Sequence, residues 1–177
     1  MNQKQQLTKR IKEVAFLTGE FTTRAGKKTD YYIDKYLFET QPDILDAIAD
    51  QIITYLPDLN TFDCIGAPEL GAVPLASVVS VKIKKPFVIV RKAGKEYGTQ
   101  RLIEGTLKEG ARVVLVEDVL TTGGAAIRAA DVLVEEKKAT IVKIIGVINR
   151  QEGAIENIKA KGWAVDWLIT SDDLKAC

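Results

Sequence analysis

Histidine is absent from this 177-residue chain. That single absence excludes His-based catalytic triads, HExxH metal sites and any His general base. Cysteine is nearly absent too. Cys64 and Cys177 are the only two, too few for a disulfide framework or, without histidine, for a closed zinc site, and they point to a reducing cytoplasmic setting. No apolar run approaches the roughly 18 residues that a membrane-spanning helix needs, and the polar opening MNQKQQ does not resemble a signal peptide. Charge of one sign is missing as well: 25 Lys and Arg against 24 Asp and Glu leave a net charge of +1. A nucleic-acid or acidic-membrane partner therefore has no global electrostatic basis, and neither is expected. Neither G-x-x-x-x-G-K-[ST] nor G-x-G-x-x-G occurs, so the Walker loop and the dinucleotide fingerprint are excluded. Whatever chemistry occurs here runs on Lys, Arg, Asp, Glu, Tyr, Thr and backbone.

What is present is an ordinary globular composition, 46% hydrophobic and 28% charged, in a length suited to one domain with a sizeable core. Apolar residues at helical spacing predict an opening helix over residues 5–17. Residues 19–36 are polar and Thr-rich and read as one or two short strands. Pro42 at a first turn leads a helix over 43–55 that Pro57 stops. Further on, strands are expected at 62–67, 86–91, 113–116, 141–149 and 164–170, and helices at 71–82, 125–137 and 154–162. Strands alternating with helices imply an α/β fold, a central mostly parallel sheet with helices on both faces. No repeat, low-complexity tract or linker divides the chain.

The most informative stretch is VVLVEDVLTTGGAA, residues 113–126. Its four opening apolar residues form a strand buried on both faces. Carboxylates do not belong inside such a sheet, so Glu117 and Asp118 are expected where it ends and opens to water. Thr121, Thr122, Gly123 and Gly124 then offer hydroxyls and unobstructed backbone N–H groups ahead of a helix N-terminus, an anion cradle suited to phosphate. Acids beside it can accept hydrogen bonds from ribose hydroxyls or help hold a hydrated Mg²⁺. A plain strand–turn–helix connection would explain a lone Gly-Gly. Two acids, two threonines and two glycines in this order favour an anion site. Three more segments follow strands on the same edge of the expected sheet: 66–71, 91–98 and 149–153.

The stretch resembles the phosphoribosyl-diphosphate (PRPP) motif of the type I phosphoribosyltransferases. That resemblance implies that Glu117 and Asp118 meet the ribose hydroxyls, that Thr121, Thr122, Gly123, Gly124 and Ala125 hold the 5-phosphate, and that Val119 and Leu120 also belong to the PRPP-binding stretch. GAPELGAVPLA, residues 66–76, is similar to the family's pyrophosphate loop, although Glu69 at its centre would repel a diphosphate unless Mg²⁺ or nearby Lys intervenes. RKAGKEYGTQRLIEG, residues 91–105, packs four cations into eleven residues. A charge run is usually a solvated loop, but this one leaves the same sheet edge, and it resembles the catalytic flap of the orotate phosphoribosyltransferases. Arg91, Lys92 and Lys95 match there, with Lys95 the catalytic flap lysine. Tyr97 stands where the family often has His, as a neutral hydrogen-bond donor.

Residues 19–40 resemble the family's N-terminal hood over the base, the hood being mainly 1–40 and the core 41–177. Arg24 matches a PRPP contact, while Tyr32 and Ile33 match residues that pack against the base plane. By strand alternation, one of Tyr31 and Tyr32 should face inward and the other outward. In NRQEGA, residues 149–154, Arg150 matches the residue that takes the orotate carboxylate, with Thr121 bonding the same ligand. The resemblance spans roughly residues 5–155. It implies Mg²⁺-dependent transfer of a 5-phosphoribosyl group from PRPP to orotate in pyrimidine biosynthesis. The catalytic residues would be Lys95, Asp118 and Glu117, with Mg²⁺ carried by the PRPP diphosphate and not by a protein cage. It also implies a cytoplasmic homodimer whose flap is shared across subunits. A purine-type phosphoribosyltransferase or a non-catalytic PRPP-sensing regulator are the alternatives.

Overall fold

In the computed structural model, which describes residues 2–22, 26, 28–92 and 101–177, local sequence signals set most element boundaries. Helix α1 (Gln3–Ala15) starts at a capping box between Asn2 and Gln5 and buries Leu7, Ile11 and Ala15 along one face. It stops two residues before the expected end, because Phe16 is already extended and opens β1 (Phe16–Thr22). Strand β1 pairs antiparallel with β2 (Lys28–Ile33), so the Thr-rich segment is a two-stranded sheet of its own. A short helix follows that periodicity did not foretell. In α2 (Lys35–Glu39) the Asp34 carboxylate accepts from the Tyr36 N–H at 3.1 Å, an N-cap that turns the chain out of β2.

Helix α3 (Pro42–Tyr55) has proline in its first turn and buries Ile44, Ile48 and Ile52. It ends at Leu56, held extended by the proline that follows. The βα alternation then runs as expected, through β3 (Cys64–Pro68), α4 (Ala72–Ile83) and β4 (Phe87–Val90). A two-residue strand, β5 (Ile103–Glu104), precedes β6 (Arg112–Leu120), α5 (Gly124–Lys137), β7 (Thr140–Asn149), α6 (Ala154–Ala160) and β8 (Val165–Thr170). A last helix, α7 (Ser171–Ala176), is capped by Thr170 and Asp173 and was not anticipated.

The main sheet has the order β5-β4-β3-β6-β7-β8, parallel throughout except for β5 at the edge. Side chains alternate cleanly along β6. Val114 and Val116 enter one apolar cluster with α1, α3 and α4, and Val113 and Leu115 enter another with α5 and α6. Ile33 of β2 and Phe38 of α2 belong to the first cluster, which is what ties the two-stranded sheet to the larger one. From β3 the chain builds outward to β4, and from β6 it builds the other way to β7 and β8. The order thus reverses between β3 and β6, and in an open α/β sheet that switch point, at the carboxyl ends of the strands, is where a ligand crevice forms.

Candidate active site

The two central strands deliver two loops to the switch point. Beyond β3, Glu69 does not face into the crevice as an unpaired anion. Its Oε1 accepts the backbone N–H of Lys92 at 2.7 Å, so the carboxylate braces the loop that leaves β4. The peptide between Glu69 and Leu70 is cis. Gly71 is required by packing: a Cβ there would overlap the carboxylate oxygens of both Asp118 and Glu39.

The acids of β6 are not where the sequence led us to expect them. Pairing with β7 continues past Glu117 to Leu120, so Glu117 and Asp118 lie inside the sheet with 4% and 3% exposure instead of opening to water. Two features allow this. The Lys35 ammonium lies 2.6 Å from Asp118 Oδ2, and backbone N–H groups turn inward, Asp118 N–H donating to Glu117 Oε1 at 3.2 Å and Val119 N–H to Asp118 Oδ1. Burial lowers the affinity of Lys35 for its proton, but the charge and hydrogen bond of Asp118 outweigh it, and the ammonium is held more firmly than usual. Burial and then the neighbouring Asp118 charge push Glu117 well above the usual carboxylate range. Glu39, only 2% exposed, is pushed up to about 8 by burial and then by Asp118.

Beyond Leu120 the chain forms the cradle. Gly123 has φ of +78°, a conformation that an L side chain resists, and a Cβ there would press on the Ala154 carbonyl at 3.2 Å. Asn157 of α6 donates to the Thr122 carbonyl at 2.9 Å and fixes the loop from outside. Among the described residues, no side chain caps the N-terminus of helix α5, so its first N–H groups and the helix dipole are presented to a ligand. Next to this cradle a cavity of about 220 Å³ is lined by Glu69, Arg91, Lys92, Leu102, Ala125 and Arg128, among others. Arg91 lies 3.9 Å from Glu104, and its N–H donates to the Leu102 carbonyl at 2.8 Å.

At the end of β7, Arg150 donates its N–H to the Leu120 carbonyl at 2.8 Å, which brings it against the cradle. Its guanidinium lies 5.3 Å from the ring centroid of Tyr31, and Nε is 3.0 Å from Glu152 Oε1. The tyrosine pair alternates as expected. Tyr31 turns inward and stacks on Phe16, while Tyr32 is 44% exposed and meets Phe21. Tyr32 and Ile33 consequently occupy opposite faces of β2, and the Ile33 side chain is committed to the core.

Residues 37–167 match the model of the phosphoribosyl transferase domain. An orotate phosphoribosyltransferase of Thermococcus gammatolerans is 47% identical over 158 residues, covering 89% of this chain and 83% of that protein. The chain belongs to the orotate phosphoribosyltransferase family. The crystal structure of the orotate phosphoribosyltransferase from Aeropyrum pernix superposes with a TM-score of 0.86 at 27% identity, over 96% of each chain. That of Mycobacterium tuberculosis in complex with PRPP gives 0.82 at 26%, over 98% of this chain and 99% of that one. An α/β fold with a mostly parallel sheet is thereby established for this phosphoribosyltransferase, as the strand pattern had indicated.

Of the residues expected at the site, Glu117, Asp118, Val119, Leu120, Thr121, Thr122, Gly123, Arg91, Lys92 and Arg150 fall at carboxyl ends of β4, β6 and β7 or in the loops that follow, and Gly124 and Ala125 open α5. Arg24, Lys95 and Tyr97 lie outside the described residues. Lys35, Glu39 and Arg128 were not anticipated. The first two lie on α2, whose local signal, the Asp34 cap, falls inside the strand reading of residues 19–36.

Proposed function

We propose that this chain transfers the 5-phosphoribosyl group of PRPP to N1 of orotate, giving orotidine 5′-monophosphate and diphosphate in pyrimidine biosynthesis. The observation that carries this reading is the meeting, at one switch point, of an uncapped helix N-terminus, two buried acids and Arg150 hydrogen-bonded to the same strand end. Phosphate, ribose and a carboxylate-bearing base are the three parts that such an arrangement fits.

In this reading the 5-phosphate sits on the N–H groups of residues 121–125, with Thr121 and Thr122 hydroxyls beside it. Asp118 and Glu117 bond the ribose hydroxyls. Arg150 takes the orotate carboxylate through its terminal amino groups, since among the described residues Glu152 engages its Nε side. Tyr32 covers the base. Ile33 shapes that end of β2 from the core side. Orotate binds as an anion with two ring N–H groups, so no strong protein base is required, and the missing histidine is no obstacle. As diphosphate departs and the ribose becomes oxocarbenium-like, Lys95, Arg91, Lys92 and Arg24 stabilise the charge that develops.

Mg²⁺ fits as part of the PRPP complex. Lys35 already pairs with Asp118, and burial beside it raises Glu39 and Glu117 above the usual carboxylate range, so the diphosphate is the better carrier of the ion. When bound to the diphosphate, the ion offsets its charge as it leaves. No described helix is long and apolar enough to cross a membrane. Free thiols at Cys64 and Cys177 support a reducing cytoplasmic location. The shared hydrophobic cluster supports one domain, with the hood over residues 1–40 and the core over 41–177. We take the active unit to be a homodimer in which the flap of one subunit completes the other site, as the family resemblance implies.

The test is the absorbance of orotate on mixing with protein, PRPP and Mg²⁺, with adenine, hypoxanthine and uracil in parallel. Consumption of orotate alone supports the assignment. Consumption of a purine makes it a purine enzyme, and PRPP binding without turnover makes it a sensor.

A further inference from the structure

The end of β6 carries more buried charge than contact with a ribose needs. Glu39, Glu117 and Asp118 are each no more than 4% exposed, and Lys35 is the cation seated among them within the described residues. Lys35 and Glu39 are four residues apart on α2, hence on one face, and both reach Asp118 from the hood side. Among the described residues, both Glu39 oxygens and Glu117 Oε2 are buried without a hydrogen-bond partner. Two ionised carboxylates are acceptors only and cannot bond each other. One proton between them turns the same approach into a bond.

The geometry points to Lys35 and Glu39 as a pair of positioning residues that grip the Asp118 carboxylate, Lys35 through its ammonium on Oδ2 and Glu39 as a neutral acid donating its proton. The absence of a side chain at Gly71 is what lets both carboxyl groups approach. Glu39 holds its proton to about pH 8, first through burial and then through Asp118. Among the described residues, the charged groups acting on it are Asp118 on β6 and Lys35 and Asp34 at α2. With Lys35 on one Asp118 oxygen and the Val119 N–H on the other, the carboxylate plane is fixed and its remaining lone pairs point in set directions. Only Asp34 separates Ile33 of β2 from Lys35 of α2. The strand that covers the base and the helix that aims the ribose acid are therefore one continuous piece, and placement of one substrate is tied to placement of the other.

This inference rests on the reading of Asp118 as a ribose contact, and the experiment separates the two. The full chain and the variants D118N, K35M, E39Q and E39L are compared by steady-state kinetics in PRPP between pH 6.5 and 9, with melting temperatures as a control for folding. Loss of a hydrogen bond to a charged group predicts that K35M and E39L raise KM for PRPP about tenfold or more, with a smaller change in kcat. The native enzyme should lose PRPP affinity as pH passes about 8, where Glu39 ionises. E39Q keeps a donor that does not titrate, so this alkaline loss should vanish, whereas E39L should bind poorly at every pH. Native-like KM in K35M and E39L, or an alkaline limb that persists in E39Q, overturns the grip. Native-like kinetics in D118N overturn the ribose reading itself. Should E39L fail to fold, the E39Q profile alone decides.

Discussion

Arg150 is held from two sides: its guanidinium lies 5.3 Å from the ring centroid of Tyr31 on β2, and its backbone N–H donates to the Leu120 carbonyl at the end of β6. Tyr31 is itself stacked on Phe16, with centroids 5.1 Å apart and planes 7° from parallel. The cation assigned to the base carboxylate thus rests on an aromatic platform that belongs to another sheet.

Arg150→Ala should chiefly weaken orotate binding. Loss of a charge-assisted pair predicts a rise in orotate Kd of about tenfold to a hundredfold, with PRPP affinity little changed. Tyr31→Leu removes the platform and leaves the charge, so a smaller loss of a few fold is expected, consistent with roughly 1 kcal/mol for a cation–π contact. Titration of both ligands by calorimetry checks this. Unchanged orotate affinity in Arg150→Ala would remove the reason for choosing this base.

Lys95→Ala should lower kcat far more than PRPP affinity, by about a hundredfold or more, because its charge matters most as diphosphate leaves. If the flap serves the neighbouring subunit, mixing inactive Lys95→Ala with inactive Asp118→Asn should restore activity, since some mixed dimers then contain one intact site. Stopped-flow turnover before and after mixing reads this. No recovery after subunit exchange would confine each flap to its own chain.

Gly123→Ala tests the cradle. The positive φ costs a non-glycine residue about 1–2 kcal/mol, and the new Cβ presses on the Ala154 carbonyl and Ile158. A drop in Tm of about 3–6 °C is expected. KM for PRPP should rise along with it, because the N–H groups of the loop are re-aimed. A stable variant with native KM would mean that the cradle does not depend on this conformation.

The parallel core was legible because its strands are buried on both faces and read as unbroken apolar runs, as Val113 to Val116 do. The cradle was legible because its glycines and threonines act through their own backbone. Two things were not. The carboxylates Glu117 and Asp118 marked an apparent strand end at 116, yet pairing runs on to Leu120, because the charge is answered from elsewhere in the chain. Lys35, the residue that answers it, lies 83 positions away on a five-residue helix too short to show a period. Ile33 is a subtler case. It adjoins Tyr32 in sequence, but alternation along β2 sends it to the opposite face. Local signals reveal what a residue does to its own backbone; distant partners in a polar cluster leave no local trace.

The same cluster sets a pH dependence of stability. Glu39 has an ordinary carboxyl affinity when unfolded, near 4.5, and is pushed up to about 8 when folded. The folded state therefore binds the extra proton across that interval, and stability from this group is full below about 4.5 and is lost as pH rises to about 8. Glu117, raised for the same reason of burial beside Asp118, acts in the same direction. Asp63 acts oppositely. It is lowered to about 2 by its hydrogen bonds from Arg112, so its contribution is present above the normal 3.8 and fades in stronger acid. Between pH 5 and 8 the carboxyl cluster decides, and native Tm should fall across that range. Glu39→Gln has no proton to lose there, so its Tm should fall less, with the gap at pH 8 at least about 3 °C wider than at pH 5, equivalent to the order of 1 kcal/mol. Thermal melts of both proteins at each pH measure the gap, and parallel curves would mean that Glu39 keeps an ordinary carboxyl affinity in the fold.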